Sequence, residues 1–285
     1  MNGLIITDLD NTVYNWVDYF APCFRAMVHA LARETGESER AIIEAFCQVY
    51  QARGSVEYAF SVQELSIFQD RSEEEVINLV RIAKGAFTRV REKRLRPYPT
   101  VNKTLIWIRS QGHRIVAVTN APVVYAFGRL RQLRIQHLFD GLAGRKNYDI
   151  PQGAITRKVQ ERADKGYFAP PMLTWEFELD ELKPNSRGYA RVIGDLAMPA
   201  KNVWVVGDNT QRDLVPGIQL GAIGVWAKYG EVVDKKNLDT ILELTAWKKE
   251  NILSERITSS FSEINDFSEL TELIPTNQMT LHGFS

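Results

Sequence analysis

Short apolar runs alternate with longer amphipathic stretches along most of this chain of 285 residues. The runs at residues 4–6, 115–118, 203–206 and 221–227 are too short for typical helices, which predicts buried strands. Between them lie segments whose apolar side chains recur at helical spacing. Strands that alternate with helices predict an α/β fold with a parallel sheet and right-handed crossovers.

One long block departs from this alternation. Residues 16–96 carry helical patterns and no convincing strand, and Ser72 and Glu75 have the spacing of a helix capping box. A helical block inserted after the first strand predicts a separate cap domain over residues 16–96. The catalytic core is then expected to comprise residues 1–15 plus 97–285.

The first predicted strand ends abruptly in two carboxylates, Asp8 and Asp10. In an extended backbone, residues two apart point to the same side, so the two side chains are expected to lie close together. Neighbouring carboxylates repel unless a cation or a proton intervenes. The pair therefore indicates either a shared hard cation such as Mg²⁺ or a division between an ionised and a protonated carboxyl.

Polar groups of the same chemical kind follow two further predicted strands. Because the carboxyl ends of parallel strands meet at one edge of the sheet, these groups are expected to form one site. Carboxylates with one lysine, one threonine and no suitably placed histidine suit phosphoryl transfer better than acyl transfer. The set comprises Asp8, Asp10, Thr119, Asn120, Lys183, Asp208, Asn209 and Asp213.

In their order along the chain, these groups resemble the four motifs of the haloacid dehalogenase superfamily of aspartate-nucleophile hydrolases. The resemblance covers residues 4–230 and implies a Rossmann-like, three-layer α/β/α core with a helical cap inserted after the first motif. The matching residues are 8–12 (Asp-Leu-Asp-Asn-Thr), 118–120 (Val-Thr-Asn), Lys183-Pro184, and Gly207-Asp208-Asn209 with Asp213.

The resemblance implies a role for each of five residues. Asp8 is the expected nucleophile, which forms an aspartyl-phosphate, and Asp10 is the expected general acid and then base. Mg²⁺ is the implied cofactor, bound by the carboxylates of Asp8 and Asp208 and by the backbone carbonyl of Asp10. Thr119 and Lys183 are expected to hold the phosphoryl oxygens of the substrate.

Four residues keep two interpretations each. Asn120 either binds the substrate phosphate, the role we assign it, or caps the following helix. Asn209 is a ligand or a turn former, and Asp213 ligates the metal or orders the residues around it. Lys183 is the phosphate-binding lysine of the third motif or an exposed lysine at the start of a helix.

The implied function is Mg²⁺-dependent hydrolysis of a small phosphorylated metabolite. Dehalogenation is the first alternative, but it has no leaving oxygen to protonate and would leave Asp10 without a role. Phosphomutase activity and a non-catalytic binding protein are further alternatives. The sequence Asp-Asn-Thr-Val-Tyr at residues 10–14 favours a nucleotidase-like substrate specificity. A phosphoglycolate-like specificity is a second alternative.

The amino-acid composition limits the classes of partner that are expected for this chain. Lys plus Arg equals Asp plus Glu, 35 each, so no overall field attracts nucleic acid or anionic lipid. No apolar run approaches the roughly 20 residues of a membrane span, and the N-terminus has no secretory signal, so a cytoplasmic location is expected. The sequence leaves open whether the chain forms a homodimer.

Two stretches of the predicted core are atypical. Residues 145–182 form a longer connection than the resemblance leads us to expect, although Trp175 and Phe177 alternate with glutamates as in a strand. This insertion is interpreted as a flap over the site, a dimer contact or a disordered loop. Residues 231–285 form a C-terminal extension that is helical only in part.

Overall fold

The computed structural model describes residues 2–245 and 261–276. The centre of the fold is a parallel sheet. Within these residues the sheet has seven strands in the order β4-β3-β2-β1-β5-β6-β7. The strands are β1 (Leu4–Thr7), β2 (Arg114–Pro122), β3 (Gly141–Arg145), β4 (Leu173–Phe177), β5 (Val203–Gly207), β6 (Ile223–Ala227) and β7 (Ser262–Ile264).

Helices follow most strands and cover the sheet. In the described part of the chain they are α1 (Trp16–Thr35), α2 (Glu39–Arg53), α3 (Glu73–Arg94), α4 (Val101–Ser110), α5 (Val123–Leu133), α6 (Arg157–Asp164), α7 (Arg187–Asp195), α8 (Val215–Ile218), α9 (Lys235–Leu244) and α10 (Leu270–Leu273). None of these helices has the length and apolar character needed to cross a membrane.

Both faces of the sheet are buried under helices. In β1, Leu4 pairs with Arg114 of β2 on one side and with Val203 of β5 on the other. Alternate side chains of the strand enter opposite cores: Ile5 belongs to one apolar cluster, and Leu4 and Ile6 belong to another. The predicted three-layer α/β/α architecture is confirmed.

The predicted helical block is present between β1 and α4. Between residues 16 and 96 the structure has α1, α2, α3 and short 3₁₀ turns, and Ser72 and Glu75 form the predicted capping box at the start of α3. Tyr14 and Pro97 form an isolated bridge, so the two ends of the block lie side by side. Its treatment as a separate cap domain stays a prediction.

The C-terminal extension packs against the helical block. Arg25 of α1 donates hydrogen bonds to Asn237 (2.6 Å) and Thr240 (2.8 Å) of α9. Asn237 in turn donates to Asp18 of α1 at 2.9 Å. The helix α9 therefore joins the extension to the predicted cap.

The atypical stretch at residues 145–182 contributes regular structure to the core. It supplies α6 and the edge strand β4. Leu173 of β4 pairs with Gly141 of the neighbouring strand β3. The strand signal at Trp175 and Phe177 is therefore confirmed, and a wholly disordered loop is the wrong interpretation of this stretch.

Candidate active site

Three predicted site residues lie at one edge of the sheet, where the parallel strands end. Asp8 follows β1, and its backbone N–H donates to the carbonyl of Val206 in β5 at 2.8 Å. Asp208 follows β5, and Thr119 lies in the irregular last part of β2. The short strands therefore bring residues from distant parts of the chain to one edge.

A buried lysine joins two of the carboxylates. Lys183 Nζ donates to Asp8 Oδ1 and, at 2.6 Å, to Asp213 Oδ1. The exposed fractions are 4% for Asp8, 5% for Lys183 and 0% for Asp213. The alternative of an exposed lysine at a helix start is therefore wrong for Lys183.

The buried charges shift one another's pKa values. Burial raises the pKa of Asp8 to about 7, although Lys183 acts against this increase. Burial would also raise the pKa of Asp213, but Lys183 and Arg212 outweigh it and hold that pKa below its ordinary value. Burial disfavours the Lys183 cation, yet Asp213 and Asp8 raise its pKa above the ordinary value.

Three carboxylates form a group that suits a hard cation. Single oxygens of Asp8, Asp208 and Asp213 all lie within 4.8 Å of one another. Within residues 2–245 and 261–276, Oδ1 of Asp208 is buried without a hydrogen-bond partner. Burial, reinforced by Asp213 and Asp8, raises the pKa of Asp208 well above its ordinary value. Three carboxylates around a single lysine, with one buried carboxylate oxygen unpaired, fit Mg²⁺, which prefers oxygen ligands.

Two glycines allow loops to approach this group closely. A Cβ atom on Gly207 would lie 2.4 Å from Cβ of Asp213, and one on Gly230 would lie 2.1 Å from the carbonyl oxygen of Asn11. Neither separation is compatible with a side chain at the glycine unless its neighbours shift. The absence of a side chain at Gly207 therefore leaves the space that Asp213 occupies.

The two predicted phosphate-binding residues of β2 differ in their contacts. Thr119 is 1% exposed, and its hydroxyl accepts a hydrogen bond from the Ala121 N–H at 3.1 Å. That contact leaves the hydroxyl proton available for donation. Asn120 instead donates to the Lys183 carbonyl at 2.8 Å and accepts from the Lys183 N–H at 2.9 Å. Asn120 thus fixes the backbone of Lys183 and does not cap α5.

The side chain of Asp10 lies outside the group of three carboxylates. Its Oδ1 accepts a hydrogen bond from the hydroxyl of Tyr14 at 2.6 Å and another from Arg129 Nη1 at 2.8 Å. The carboxylates that group with Asp8 in the described residues are therefore those of Asp208 and Asp213. Asp10 lines the cavity at the site together with Asp8.

Asn209 and Asp213 shape the turn after β5. Asn209 Oδ1 accepts a hydrogen bond from the Arg212 N–H at 2.8 Å, and Asp213 Oδ2 accepts one from the Asn209 N–H at 2.9 Å. A π-helical turn, Thr210–Leu214, carries these contacts. The contacts of Asn209 are therefore those of a turn-forming residue, one of the two interpretations of it given above.

A cavity of about 1220 Å³ opens over the site. The sheet edge contributes Asp8, Asp10, Thr119, Lys183 and Asp208 to its lining. The helical block and α9 contribute further lining residues, among them Trp16, Tyr50, Glu57 and Leu244. The sheet edge, the helical block and α9 therefore all border this cavity.

Among the charged residues of this region that were not predicted from the sequence are Arg129 and Glu57. Arg129 of α5 is 6% exposed and contacts Glu57, whose side chain is 11% exposed. One signal was available, because Arg129 lies among the apolar residues that α5 buries, such as Ala126 and Leu130. Glu57 stands in the connection between α2 and α3, which has no regular pattern, and gave no such signal.

The sequence places the chain in a known family. A family model described as haloacid dehalogenase-like hydrolase matches residues 3–221. The chain therefore belongs to the haloacid dehalogenase-like hydrolases and is a hydrolase, as the motifs predicted. A search of curated proteins finds no significant relative.

Solved structures of this family share the fold. A 2-haloacid dehalogenase from Pseudomonas syringae pv. Tomato DC3000 is 16% identical, with a TM-score of 0.55, over 96% of this chain and 98% of that one. A HAD phosphatase from Thermococcus onnurineus is 18% identical, with a TM-score of 0.51, over 96% and 97%. At these identities the likeness concerns the fold alone. The choice between reactions must therefore come from the site.

Proposed function

We propose that this chain is a Mg²⁺-dependent phosphomonoester hydrolase that acts on a small phosphorylated metabolite through an aspartyl-phosphate on Asp8. One observation carries the proposal: the buried Asp8 contacts Lys183 and has a carboxylate oxygen within 4.8 Å of oxygens of Asp208 and Asp213. A carboxylate can approach a phosphate dianion only if cations neutralise their repulsion. Lys183 supplies one such cation, and the three carboxylates suit another.

In the first proposed step, a carboxylate oxygen of Asp8 attacks phosphorus. A bond forms between phosphorus and Asp8 while the bond between phosphorus and the leaving oxygen breaks. Asp10 donates its proton to that oxygen, so an alcohol departs and Asp10 becomes a carboxylate. The position of Asp10 in the cavity lining, two residues after Asp8, supports this role.

In the second proposed step, the carboxylate of Asp10 takes a proton from water. The water oxygen attacks phosphorus, and the bond between phosphorus and the Asp8 oxygen breaks. Inorganic phosphate leaves, and both aspartates return to their starting protonation states. Lys183 and the Thr119 hydroxyl would hold phosphoryl oxygens during both steps.

Mg²⁺, when bound, would supply positive charge that stabilises the phosphoryl oxygens. The carboxylates of Asp8 and Asp208 and the backbone carbonyl of Asp10 would hold it. Asp213, which already accepts hydrogen bonds from Lys183 and the Asn209 N–H, would order these ligands or join them. Asn120 would act through Lys183, since both ends of its amide contact the Lys183 backbone.

Three further predictions belong to the same proposal. Residues 16–96 form a cap over the core of residues 1–15 plus 97–285. The protein acts in the cytoplasm on a phosphate ester and not on nucleic acid.

Dehalogenation is less consistent with the site. A halide leaves without a proton, so the reaction would give Asp10 no part in bond breaking, although Asp10 lines the cavity and Arg129 fixes its side chain. A phosphomutase would need to exclude water from the aspartyl-phosphate. Assays for chloride release from 2-chloropropionate and for inorganic phosphate separate these three reactions.

The test is hydrolysis of 4-nitrophenyl phosphate by the full chain, with and without Mg²⁺. We expect hydrolysis that needs Mg²⁺ and falls by at least about 10³-fold in Asp8→Asn, since the nucleophile is lost. Borohydride reduction of the enzyme during turnover, followed by mass spectrometry, should convert Asp8 to homoserine. Hydrolysis that survives Asp8→Asn, or that proceeds without the metal, would refute the proposal.

A matched control checks that the loss is specific. Asp239 is an exposed aspartate of α9, and Asp239→Asn makes the same chemical change away from the cavity. We expect Asp239→Asn to keep the wild-type rate and the Mg²⁺ requirement.

A further inference from the structure

Arg129 connects the proposed acid to the helical block. Its Nη1 donates to Asp10 Oδ1 at 2.8 Å and to the Tyr14 hydroxyl at 3.1 Å. Its Nη2 donates to Glu57 Oε1. The Arg129 side chain is 6% exposed, so this guanidinium lies buried behind Asp10.

Glu57 belongs to the connection between α2 and α3, inside the predicted cap. Its Oε1 also accepts a hydrogen bond from Trp16 Nε1, at 3.0 Å. One rigid guanidinium therefore bridges a carboxylate of the loop after β1 and a carboxylate of the helical block. Such a planar fork holds two acceptors in a fixed mutual orientation.

Among the described residues, both hydrogen-bond donors to the Asp10 side chain bind the same carboxylate oxygen. Both Arg129 and the Tyr14 hydroxyl, which lies 2.6 Å away, bind Oδ1. Neither contact involves the other carboxylate oxygen, Oδ2. Asp10 also lines the cavity. With Oδ1 fixed, Oδ2 is the atom that can carry the proton toward a leaving oxygen.

We propose that Arg129 is the positioning residue for Asp10 and that Glu57 holds Arg129 in place, so that the contact between the helical block and the core sets the orientation of the general acid. This inference rests on the proposed function, in which Asp10 protonates the leaving group. Arg129 acts through Asp10 and has no contact with the substrate assigned to it.

A structural ion pair is the competing explanation. Buried pairs of this kind change the free energy of unfolding when one partner is removed. They do not by themselves change how a rate depends on the leaving group. The basicity of the leaving group therefore separates the two explanations, because a strongly basic leaving oxygen needs the proton of Asp10 and a weakly basic one does not.

The experiment compares kcat/KM for phenyl phosphate and 2,4-dinitrophenyl phosphate in Mg²⁺. The quantity measured is the ratio of kcat/KM for the dinitrophenyl ester to that for the phenyl ester. This ratio reports the step in which the alcohol leaves, and it is independent of the fraction of folded enzyme. A variant that folds poorly therefore still gives a decisive result.

We expect Arg129→Met to raise this ratio by about 10- to 100-fold, a part of the roughly 10²- to 10⁴-fold that general acid catalysis contributes. Glu57→Ala should raise it in the same direction by a smaller factor. Arg129→Lys should give an intermediate ratio, because an ammonium group can reach Oδ1 of Asp10 but cannot span to Glu57 at the same time. Arg131→Met, which replaces an exposed arginine of the same helix, should keep the wild-type ratio.

The outcomes separate the two proposals. If the wild type hydrolyses both esters through Asp8 and Arg129→Met keeps the wild-type ratio, the positioning role is wrong and the phosphatase stands. If Arg129→Met raises the ratio and Glu57→Ala does not, the link to the helical block is wrong. If the wild type hydrolyses neither ester, the proposed function fails and this inference fails with it.

Discussion

Asn120 holds the backbone of Lys183, a residue 63 positions further along the chain, through both atoms of its side-chain amide. The carbonyl oxygen of Asn120 accepts from the Lys183 N–H at 2.9 Å, and its nitrogen donates to the Lys183 carbonyl at 2.8 Å. The same lysine places its ammonium group between Asp8 and Asp213. The Asn120 amide therefore fixes the stem of the cation that serves the site.

The first prediction concerns Asn120→Ala. Without the amide, the Lys183 backbone loses two partners, and we expect the free energy of unfolding to fall by about 1–3 kcal/mol. The Lys183 ammonium would also lose its fixed position. We therefore expect kcat/KM for an aryl phosphate to fall by about 10- to 100-fold, as for a misplaced catalytic group. Urea unfolding and steady-state kinetics measure the two effects.

Asn147→Ala is the matched control for this prediction. Asn147 also bridges two segments, since it accepts from the Val124 N–H and donates to Glu176, both at 2.9 Å. It does not belong to the cavity lining around Asp8. The Asn147→Ala variant should therefore be less stable than the wild type and should keep the wild-type kcat/KM. Should Asn120→Ala behave in the same way, Asn120 merely joins two segments.

The second prediction concerns Gly207→Ala. The added methyl carbon would lie 2.4 Å from Cβ and 2.6 Å from Oδ2 of Asp213. Such overpacking costs about 1–3 kcal/mol, and it would displace Asp213 from Lys183. We expect a lower melting temperature and weaker Mg²⁺-dependent hydrolysis, measured by thermal unfolding and by an aryl phosphate assay.

Gly194→Ala provides the comparison for Gly207→Ala. A Cβ on Gly194 meets nothing within 4 Å, and the residue lies in α7. Alanine is favoured over glycine in a helix by roughly 0.5–1 kcal/mol, so this variant should be equally or more stable than the wild type. An equal loss of stability in both variants would contradict the packing argument.

Local patterns were enough to predict much of the fold. The apolar runs that end at Asp8 and Asp208 became β1 and β5 because buried parallel strands have a continuous apolar sequence. The spacing of Ser72 and Glu75 predicted the start of α3 because a capping box is a contact between near neighbours. These signals lie within a few residues of the structure that they predict.

Contacts between distant segments left no such pattern. Strand β7 has three residues in a polar stretch, too few to distinguish from a loop. Arg129 and Glu57 lie 72 positions apart, and nothing in either local sequence indicates the pairing. The alternation of Trp175 and Phe177 with glutamates continues to Leu179, but the strand does not, since the Leu179 side chain is 70% exposed beyond the end of β4. Tertiary packing decided each of these cases.

The third prediction concerns Mg²⁺ and pH. Burial raises the pKa of Asp8 from 3.8 to about 7, so in the metal-free protein this group stabilises the fold at low pH. That contribution is present in full below about pH 3.8 and is lost as the pH rises from there to about 7, where Asp8 ionises in the folded protein. Under the proposed function, Mg²⁺ would compete with protons for the same carboxylates. Its apparent affinity should therefore rise by up to about tenfold per pH unit for each proton released.

Thermal unfolding with and without MgCl₂ at about pH 6 and about pH 8 measures this effect. We expect the increase in melting temperature caused by Mg²⁺ to be larger at the higher pH. Asp208→Asn should lose the response and, without metal, be more stable than the wild type at the higher pH, because it removes a buried charge. Asp239→Asn should respond like the wild type. Equal Mg²⁺ effects at both pH values would exclude proton competition.

The last prediction concerns the contact between the C-terminal extension and the helical block. Asn237 of α9 is 7% exposed, accepts from Arg25 at 2.6 Å and donates to Asp18 at 2.9 Å. We expect Asn237→Ala to lower the free energy of unfolding by about 1–3 kcal/mol, because Arg25 and Asp18 lose a buried partner. Lys236→Ala, an exposed change on the same helix, should have little effect.

A double-mutant cycle tests whether Asn237 acts through Arg25. If the hydrogen bond between them joins α9 to α1, the effects of Arg25→Met and Asn237→Ala should overlap by about 0.5–3 kcal/mol in urea unfolding. Leu244 of α9 and Trp16 of α1 both line the cavity, so a loosened contact should also raise KM for a phosphate ester more than it lowers kcat. Additive losses of stability with an unchanged KM would show that α9 packs on the block without fixing its position over the site.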